Sequence, residues 1–222
     1  MQVLTTQEKK AIIAKRAAGF FQDGYLVNLG IGIPTLAANY IPEGTDVWIE
    51  SENGIIGLNG APPEGEGDPD LVDASGGFNS IRLGGSFFGS FESFSLIRGG
   101  HVDACVLGAF QVDQEGNLAN WTVPGKTVAG MGGAMDLVSG ARQIIITMEH
   151  CDKSGAAKIL KKCTLPLTAA NKVTYIITEL CVLHQTAEGL VLLELYPGVT
   201  VEEVLSKTEA ELIIPAEIGS MV

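Results

Sequence analysis

Charge is scarce in this sequence. Asp, Glu, Lys and Arg make up 18% of its 222 residues, where about 25% is usual. The shortfall lies mainly in cations: 14 Lys and Arg stand against 26 Asp and Glu, a formal net charge of −12. So few positive side chains leave no basic footprint for nucleic acid or for an anionic membrane surface. A small polyanionic ligand stays possible, because it needs only a local pocket. Long apolar runs are missing too, and none approaches the ~18 residues of a membrane span. The opening MQVLTTQEKK lacks the apolar segment of a signal peptide. Cysteine is limited to Cys105, Cys151, Cys163 and Cys181, with no CxxC and no framework spacing, so a disulfide scaffold is excluded and a reducing compartment is expected. Cys105 and Cys181 sit in apolar runs and read as small core residues. The three histidines, His101, His150 and His184, have no metal-site spacing. No GxSxG elbow is present. A soluble cytoplasmic protein without a metal centre is the expectation.

What is abundant is apolar side chain, at 46%, and glycine, at 28 residues. That apolar share with low charge excludes a disordered chain. The glycines follow no period and fall between apolar runs, as in a fold with many tight turns. Length favours one domain over two. Thr5 and Glu8 have the spacing of a capping box, and Ile12, Ile13, Ala17 and Phe20 then predict a helix from Thr6 to Phe21, stopped by Asp23-Gly24. Strands are predicted at Tyr25–Leu29 and Val47–Ser51. Between them lie a glycine turn, 30–33, and a helix from Pro34 to Tyr40, with proline in its first turn. Helix, strand, glycine turn, helix, strand is the signature of a parallel α/β unit. Further strands are predicted at 102–107, 144–148, 173–183 and 190–195. A helix over 86–98 would be packed by Phe87, Phe91 and Phe94, and Thr200 with Glu203 opens a last helix. Residues 59–70 form a Pro/Gly/acidic loop too short for a domain linker.

Three places could carry chemistry. Gly30 and Gly32 follow a strand and precede a helix, where free N–H groups and the helix dipole favour an anion. Thr35 occupies the third position of a GxGxxG fingerprint, although Glu50 has the spacing of a ribose-binding acid. A nucleotide turn and a plain βα turn both remain open here. Glu52, in Ser51-Glu52-Asn53-Gly54, sits at a strand's carboxyl end and enters a sharp turn. Ligands of open α/β sheets bind at that edge. It reads as a base, a ligand, a nucleophile or a solvated loop residue. Gly130-Met131-Gly132-Gly133 lets backbone approach a ligand closely and could offer N–H groups to an oxyanion. Lys153, Lys158, Lys161 and Lys162 form a basic cluster that reads as a solvated helix face. Arg82 and Arg98 read as structural ion pairs rather than substrate ligands.

Taken in order, VNLGIGIP (27–34), SENG (51–54), IRGGHVD (97–103), ANW (119–121), PGK (124–126), GMGGAMDL (130–137), TMEH (147–150) and KCTLPLT (162–168) closely resemble the β subunit of family I CoA-transferases, the 3-oxoacid or acetoacetate–butyrate–acetate type. The resemblance runs from about Thr6 to Ala210. It implies a single domain over 1–222, an α/β sandwich of the NagB/RpiA/CoA-transferase type with a mixed sheet. It implies that Glu52 is the catalytic glutamate, that Asn28 lies near it, and that Gly133 and Ala134 belong to the loop supporting the oxyanion. It places Gly30, Gly32, Asn53, Gly54 and Gly132 in the vicinity of CoA or substrate. It further implies an α-subunit partner that supplies a second oxyanion donor, an α2β2 heterotetramer, and acyl-CoA and short-chain carboxylates as substrates. No metal or nucleotide cofactor, nucleic acid or membrane is implied, and the setting is a bacterial cytoplasm. Leu83-Gly84-Gly85 departs from the family's more usual LPG, in what reads as a loop near the site. A glutamate suits the chemistry, because it is anionic at pH 7 with an ordinary pKa of about 4.3, and an acceptor of CoA must itself be a carboxylate.

Overall fold

The structure, a computed structural model, describes residues 4–125 and 130–222. The first half contains helix α1 (Thr6–Ala18), strand β1 (Leu26–Leu29), the short α2 (Ile33–Leu36) with a 3-10 turn at Ala37–Tyr40, β2 (Trp48–Ser51), β3 (Ile55–Leu58), β4 (Ile81–Phe87), α3 (Ser90–Arg98), β5 (Ala104–Leu107), β6 (Gln111–Asp113) and β7 (Leu118–Ala119). The second half contains α4 (Ala134–Gly140), β8 (Gln143–Thr147), β9 (Ile159–Leu160), β10 (Tyr175–Ile177), β11 (Cys181–Gln185), β12 (Leu190–Leu195), α5 (Val201–Ser206), β13 (Leu212–Ile213) and β14 (Gly219–Ser220). The capping box at α1 forms as the sequence predicts: Thr5 Oγ1 accepts from Glu8 N at 3.2 Å, and Thr5 N donates to Glu8 Oε2 at 2.7 Å. These bonds satisfy two of the orphan donors of the first turn.

The main sheet is mixed. Its order is β13-β12-β11-β10-β8-β5-β1-β2-β3-β4, with β14 beside β12, and a separate small sheet is ordered β7-β6-β9. The five central strands, β10, β8, β5, β1 and β2, are parallel. Both faces of this centre are buried, so its strands read as continuous apolar runs rather than as alternation. Ala104, Val106, Ile145 and Ile177 face the side covered by Ile13, Ala17 and Ala18 of α1. Cys105, Leu107, Ile144, Ile146 and Ile176 face the opposite layer, which contains Ile97 of α3, Leu137 and Val138 of α4, and the small sheet. The result is an α/β fold in which one strand supplies two cores by its period of two.

Several sequence expectations need correction. The helix expected over 86–98 is half strand. β4 runs through Phe87, α3 starts at Ser90, and of the three phenylalanines only Phe94 packs inward; Phe87 and Phe91 are 61% and 79% exposed. Pairing of β4 with β3 decides this, a tertiary contact that helical spacing could not reveal. Leu83-Gly84-Gly85 is part of that strand rather than a loop. The strand expected over 173–183 is two antiparallel strands, β10 and β11. The turn between them is closed by Thr178 Oγ1, which accepts from Leu180 N and Cys181 N, both at 3.2 Å. A threonine within an apolar run conceals such a turn. Nor do the four lysines share a helix face. They flank the Cys151–Ala157 bridge and β9, Lys161 pairs with Glu211 at 3.1 Å, and burial lowers the pKa of Lys158.

His150 is fully buried between Thr178 Oγ1 at 3.0 Å and Thr208 Oγ1 at 2.9 Å. Burial first, then the charges of Lys207 and Lys158, push its pKa down to about 4. A histidine depressed in the fold binds fewer protons there than in the unfolded chain. Its contribution to stability is therefore full above its ordinary pKa of about 6.5 and is lost as pH falls toward 4, by about 3 kcal/mol at the limit. Urea midpoints at pH 7 and pH 4.5 should fall less in His150→Gln than in the wild type. Equal falls would show that His150 is not the responsible group.

Candidate active site

The sheet topology positions the site. From β1 the chain steps to β2 on one side, then returns to β5 on the other. Connections leaving neighbouring strands in opposite directions open a crevice at their carboxyl ends, where ligands bind in open α/β sheets. Gly30 sits at that point. Its N–H donates to Val106 O at 2.8 Å, and a Cβ there would come within 3.1 Å of Val106 O and Leu107 Cδ2. Glycine thus suits the close packing of β1 on β5, where a Cβ would press on Val106 O and Leu107. Gly32 lies beyond, at φ +98° with open space around it.

Glu52 leaves the carboxyl end of β2 as the first of three residues, Glu52 to Gly54, that turn the chain into β3. Gly54 N donates to Ser51 O at 2.9 Å, and Gly54 adopts φ +113°. The turn is pinned from outside. Gly54 O accepts from Phe88 N at 3.0 Å, Asn53 Nδ2 donates to Val72 O at 2.8 Å, and Ser51 Oγ accepts from Ala74 N at 2.9 Å. Asn53 is therefore a structural tie of the 51–54 turn.

Asn28 and Glu50 are register partners in the parallel β1–β2 pair, and Glu52 lies two residues on from Glu50, on the same face. Asn28 Nδ2 donates to Glu50 Oε2 at 2.7 Å and reaches Glu52 Oε2 at 3.3 Å. The other end of the amide, Oδ1, lies 3.9 Å from Cys105 Sγ of β5. That contact fixes the amide's orientation, because flipping it would turn an oxygen onto two carboxylates. From the same layer α3 contributes Ser93, whose Oγ donates to Glu50 Oε1 at 2.7 Å. Glu50 is 2% and Asn28 1% exposed, whereas Glu52 is half-buried. The glycine loop comes in from α4: a Cβ on Gly133 would lie 3.5 Å from Glu52 Cγ and 3.1 Å from the Phe94 ring. Ala134 opens α4, and its N–H already donates to Met131 O at a long 3.3 Å. Gly132 is open, at φ +54°.

The structure thus brings together Asn28, Glu52 and Gly133, which were singled out in the sequence far apart. Lys126 of the PGK motif lies outside the described residues. Glu50 is no ribose ligand: its oxygens are occupied in the core, one by Asn28 of β1 and one by Ser93 of α3. Arg82 and Arg98 pair with Asp46 at 2.7 Å and Asp136 at 2.8 Å, in keeping with their expected structural role. Sequence reasoning did not place Glu50 and Ser93 beside Glu52. Period two along β2 held the signal for Glu50, since residues i and i+2 share a face; nothing local marked Ser93.

A mixed sheet with a parallel centre, and a carboxylate and a glycine loop beside its switch point, defines a ligand-binding α/β protein. The family of coenzyme A transferases matches residues 10–207. The chain is 55% identical over 212 residues to the acetate CoA-transferase subunit beta of Haemophilus influenzae, covering 96% of this chain and 95% of that one. It is 51% identical over 213 residues to the acetate CoA-transferase subunit beta of Escherichia coli K12, covering 96% and 97%. Its fold is similar to that of an acyl-CoA transferase apoenzyme from Escherichia coli O157:H7, with a TM-score of 0.78 and 23% identity; that match covers all of this chain and 45% of the longer one. The chain belongs to the coenzyme A transferase family, and it is a CoA-transferase.

Proposed function

We propose that this chain is the β subunit of a CoA-transferase and that Glu52 receives CoA covalently, passing it from a short-chain acyl-CoA to a free carboxylate. The supporting observation is the placement of the Glu52 carboxylate 3.3 Å from Asn28 Nδ2, with Glu52 Cγ 3.5 Å from where a Cβ on Gly133 would lie. A Glu52 oxygen attacks the thioester carbonyl, with the oxyanion held by the Gly133 loop and a donor from the partner. Collapse expels CoA thiolate and leaves a glutamyl–acyl anhydride. The thiolate then attacks Glu52 Cδ, the acyl group departs as a free carboxylate, and Glu52 carries CoA as a thioester. During this step the developing negative charge sits on Glu52's own carbonyl oxygen, within reach of the Asn28 amide. A second carboxylate enters and the steps reverse. Charge and thioester are conserved, so the cycle requires no metal, nucleotide or redox partner.

The name shared by the two relatives, acetate CoA-transferase subunit beta, supports a short-chain acid as substrate and an α subunit as partner; an α2β2 assembly in a bacterial cytoplasm belongs to the same proposal. Leu83 on β4 and Phe91 on α3, fully and largely exposed, offer apolar area for that partner. Among the described residues no helix is long and apolar enough to cross a membrane.

Borohydride trapping tests the reading. The α/β complex is incubated with acetoacetyl-CoA and reduced, and the chain is digested. A glutamyl thioester becomes an alcohol, so the peptide containing Glu52 should become about 14 Da lighter. Activity should require both chains. An unmodified chain from an active complex would overturn covalent transfer through Glu52, and full activity of this chain alone would overturn the partnership.

A further inference from the structure

We infer that Glu50 is a positioning residue for transfer, acting through Asn28 to aim one amide N–H at the Glu52 carboxylate. This rests on the reading of Glu52 as the group that receives CoA.

The inference starts from an expensive burial. Glu50 is 2% exposed, and among the described residues it has no ion-pair partner. A buried carboxylate without a cation is costly, and an apolar side chain of similar volume would serve a core better. Yet both Glu50 oxygens are used: Oε1 accepts from Ser93 Oγ at 2.7 Å and Oε2 from Asn28 Nδ2 at 2.7 Å. Ser93 touches Glu50 from α3, so the carboxylate is held from a second element. Asn28 has two N–H bonds on one nitrogen in a rigid plane. Anchoring the first on Glu50 Oε2 at 2.7 Å restricts the second, whose nearer acceptor is Glu52 Oε2 at 3.3 Å, ahead of Glu50 O at 3.5 Å. Cys105 at the far end completes the clamp. Glu50 is enclosed in the core, so its effect passes through the Asn28 amide. Consistent with this enclosure, burial pushes the Glu50 pKa up, while the bonds from Asn28 and Ser93 pull it down and the nearby Glu52 charge adds a smaller upward push.

Gln at position 50 can keep both contacts, accepting from Asn28 with its oxygen and donating to Ser93 Oγ with its nitrogen. Leu has similar bulk and can keep neither. In the α/β complex, Glu50→Leu should lower kcat by about 10- to 100-fold, because sub-ångström misplacement at the reacting group costs that much. KM for the acyl-CoA should stay within about twofold, and Glu50→Gln should recover kcat to within about threefold of wild type. In an Asn28→Ala background, Glu50→Leu should cost nothing further, because residues acting through one another are not additive. Should Glu50→Leu fail to assemble, Ser93→Ala removes the outer support alone and should lower kcat severalfold, again sparing KM. The adduct on Glu52 separates the two levels. If single-turnover mass spectrometry shows Glu52 acquiring CoA at the wild-type rate in Glu50→Leu, or in Ser93→Ala where Leu does not assemble, positioning by Glu50 is wrong while the nucleophile stands. Full additivity with Asn28→Ala, or Gln as impaired as Leu, overturns it equally. If the adduct forms elsewhere, the reading of Glu52 itself fails.

Discussion

Glu52→Gln and Glu52→Ala should abolish CoA transfer, with kcat down by on the order of 10⁴-fold or more, the scale seen when a covalent nucleophile is removed. An amide is nearly the same size as the carboxylate but cannot form the anhydride, so the loss with Gln isolates chemistry from shape. Folding should be untouched. Glu52 is half-buried at a hairpin tip, Asn28 keeps its shorter bond to Glu50, and substitutions of this kind change stability by about 0.5 kcal/mol or less. Glu52→Asp keeps the carboxylate but withdraws it by over an ångström, for an expected loss of about 100-fold. Steady-state rates, with intact mass checked for deamidation of Gln, decide the matter. Near-normal turnover by Glu52→Ala would remove Glu52 from the mechanism.

Gly54→Ala is expected to damage both stability and activity. Gly54 adopts φ +113°, and a Cβ there would run into the Phe88 carbonyl oxygen, which is backbone and cannot swing away. Its N–H and C=O are both engaged, with Ser51 O and Phe88 N, so the turn cannot relax without breaking a bond. Strain of about 1–3 kcal/mol for the backbone conformation alone, plus the clash, predicts a total of about 3 kcal/mol or more and a Tm lower by roughly 6–12 °C. Displacing the hairpin also displaces Glu52, so kcat should fall by about 100-fold. Gly65→Ala is the control. Gly65 has φ +82° but nothing within 4 Å of the added carbon, so it should lose only about 1 kcal/mol and no activity. Equal behaviour of the two variants would show that the Phe88 contact is not what holds the turn.

The helix caps, most of the central strands and the position of the Glu52 carboxylate were legible along the chain for local reasons. A capping box, β-branched runs and an Asn-Gly turn each carry their own physics within a few residues. The first two strands and the glycine turn between them also set the site's edge of the sheet, because a strand's carboxyl end is defined by chain direction. Legibility failed where a distant partner chose between local options. Ser86–Phe87 became strand because β3 was available to pair with it, and Thr178 broke an apolar run by turning its hydroxyl on its own backbone.

The site divides along the same line. Along the chain alone, Glu52 stands at a strand's end, glycines lie in other loops, and eight motifs in one order match those of CoA-transferases. What surrounds Glu52 came from packing between distant segments. Parallel pairing set Asn28 opposite Glu50, the packing of α3 brought Ser93 onto Glu50, and α4 laid Gly133 against Glu52. Glu50 shows the difference most plainly: its spacing from Gly30 suggested a ribose ligand, yet the sheet folded it inward. Which way a strand residue faces depends on register with its neighbours, and register is set by contacts between residues far apart in sequence.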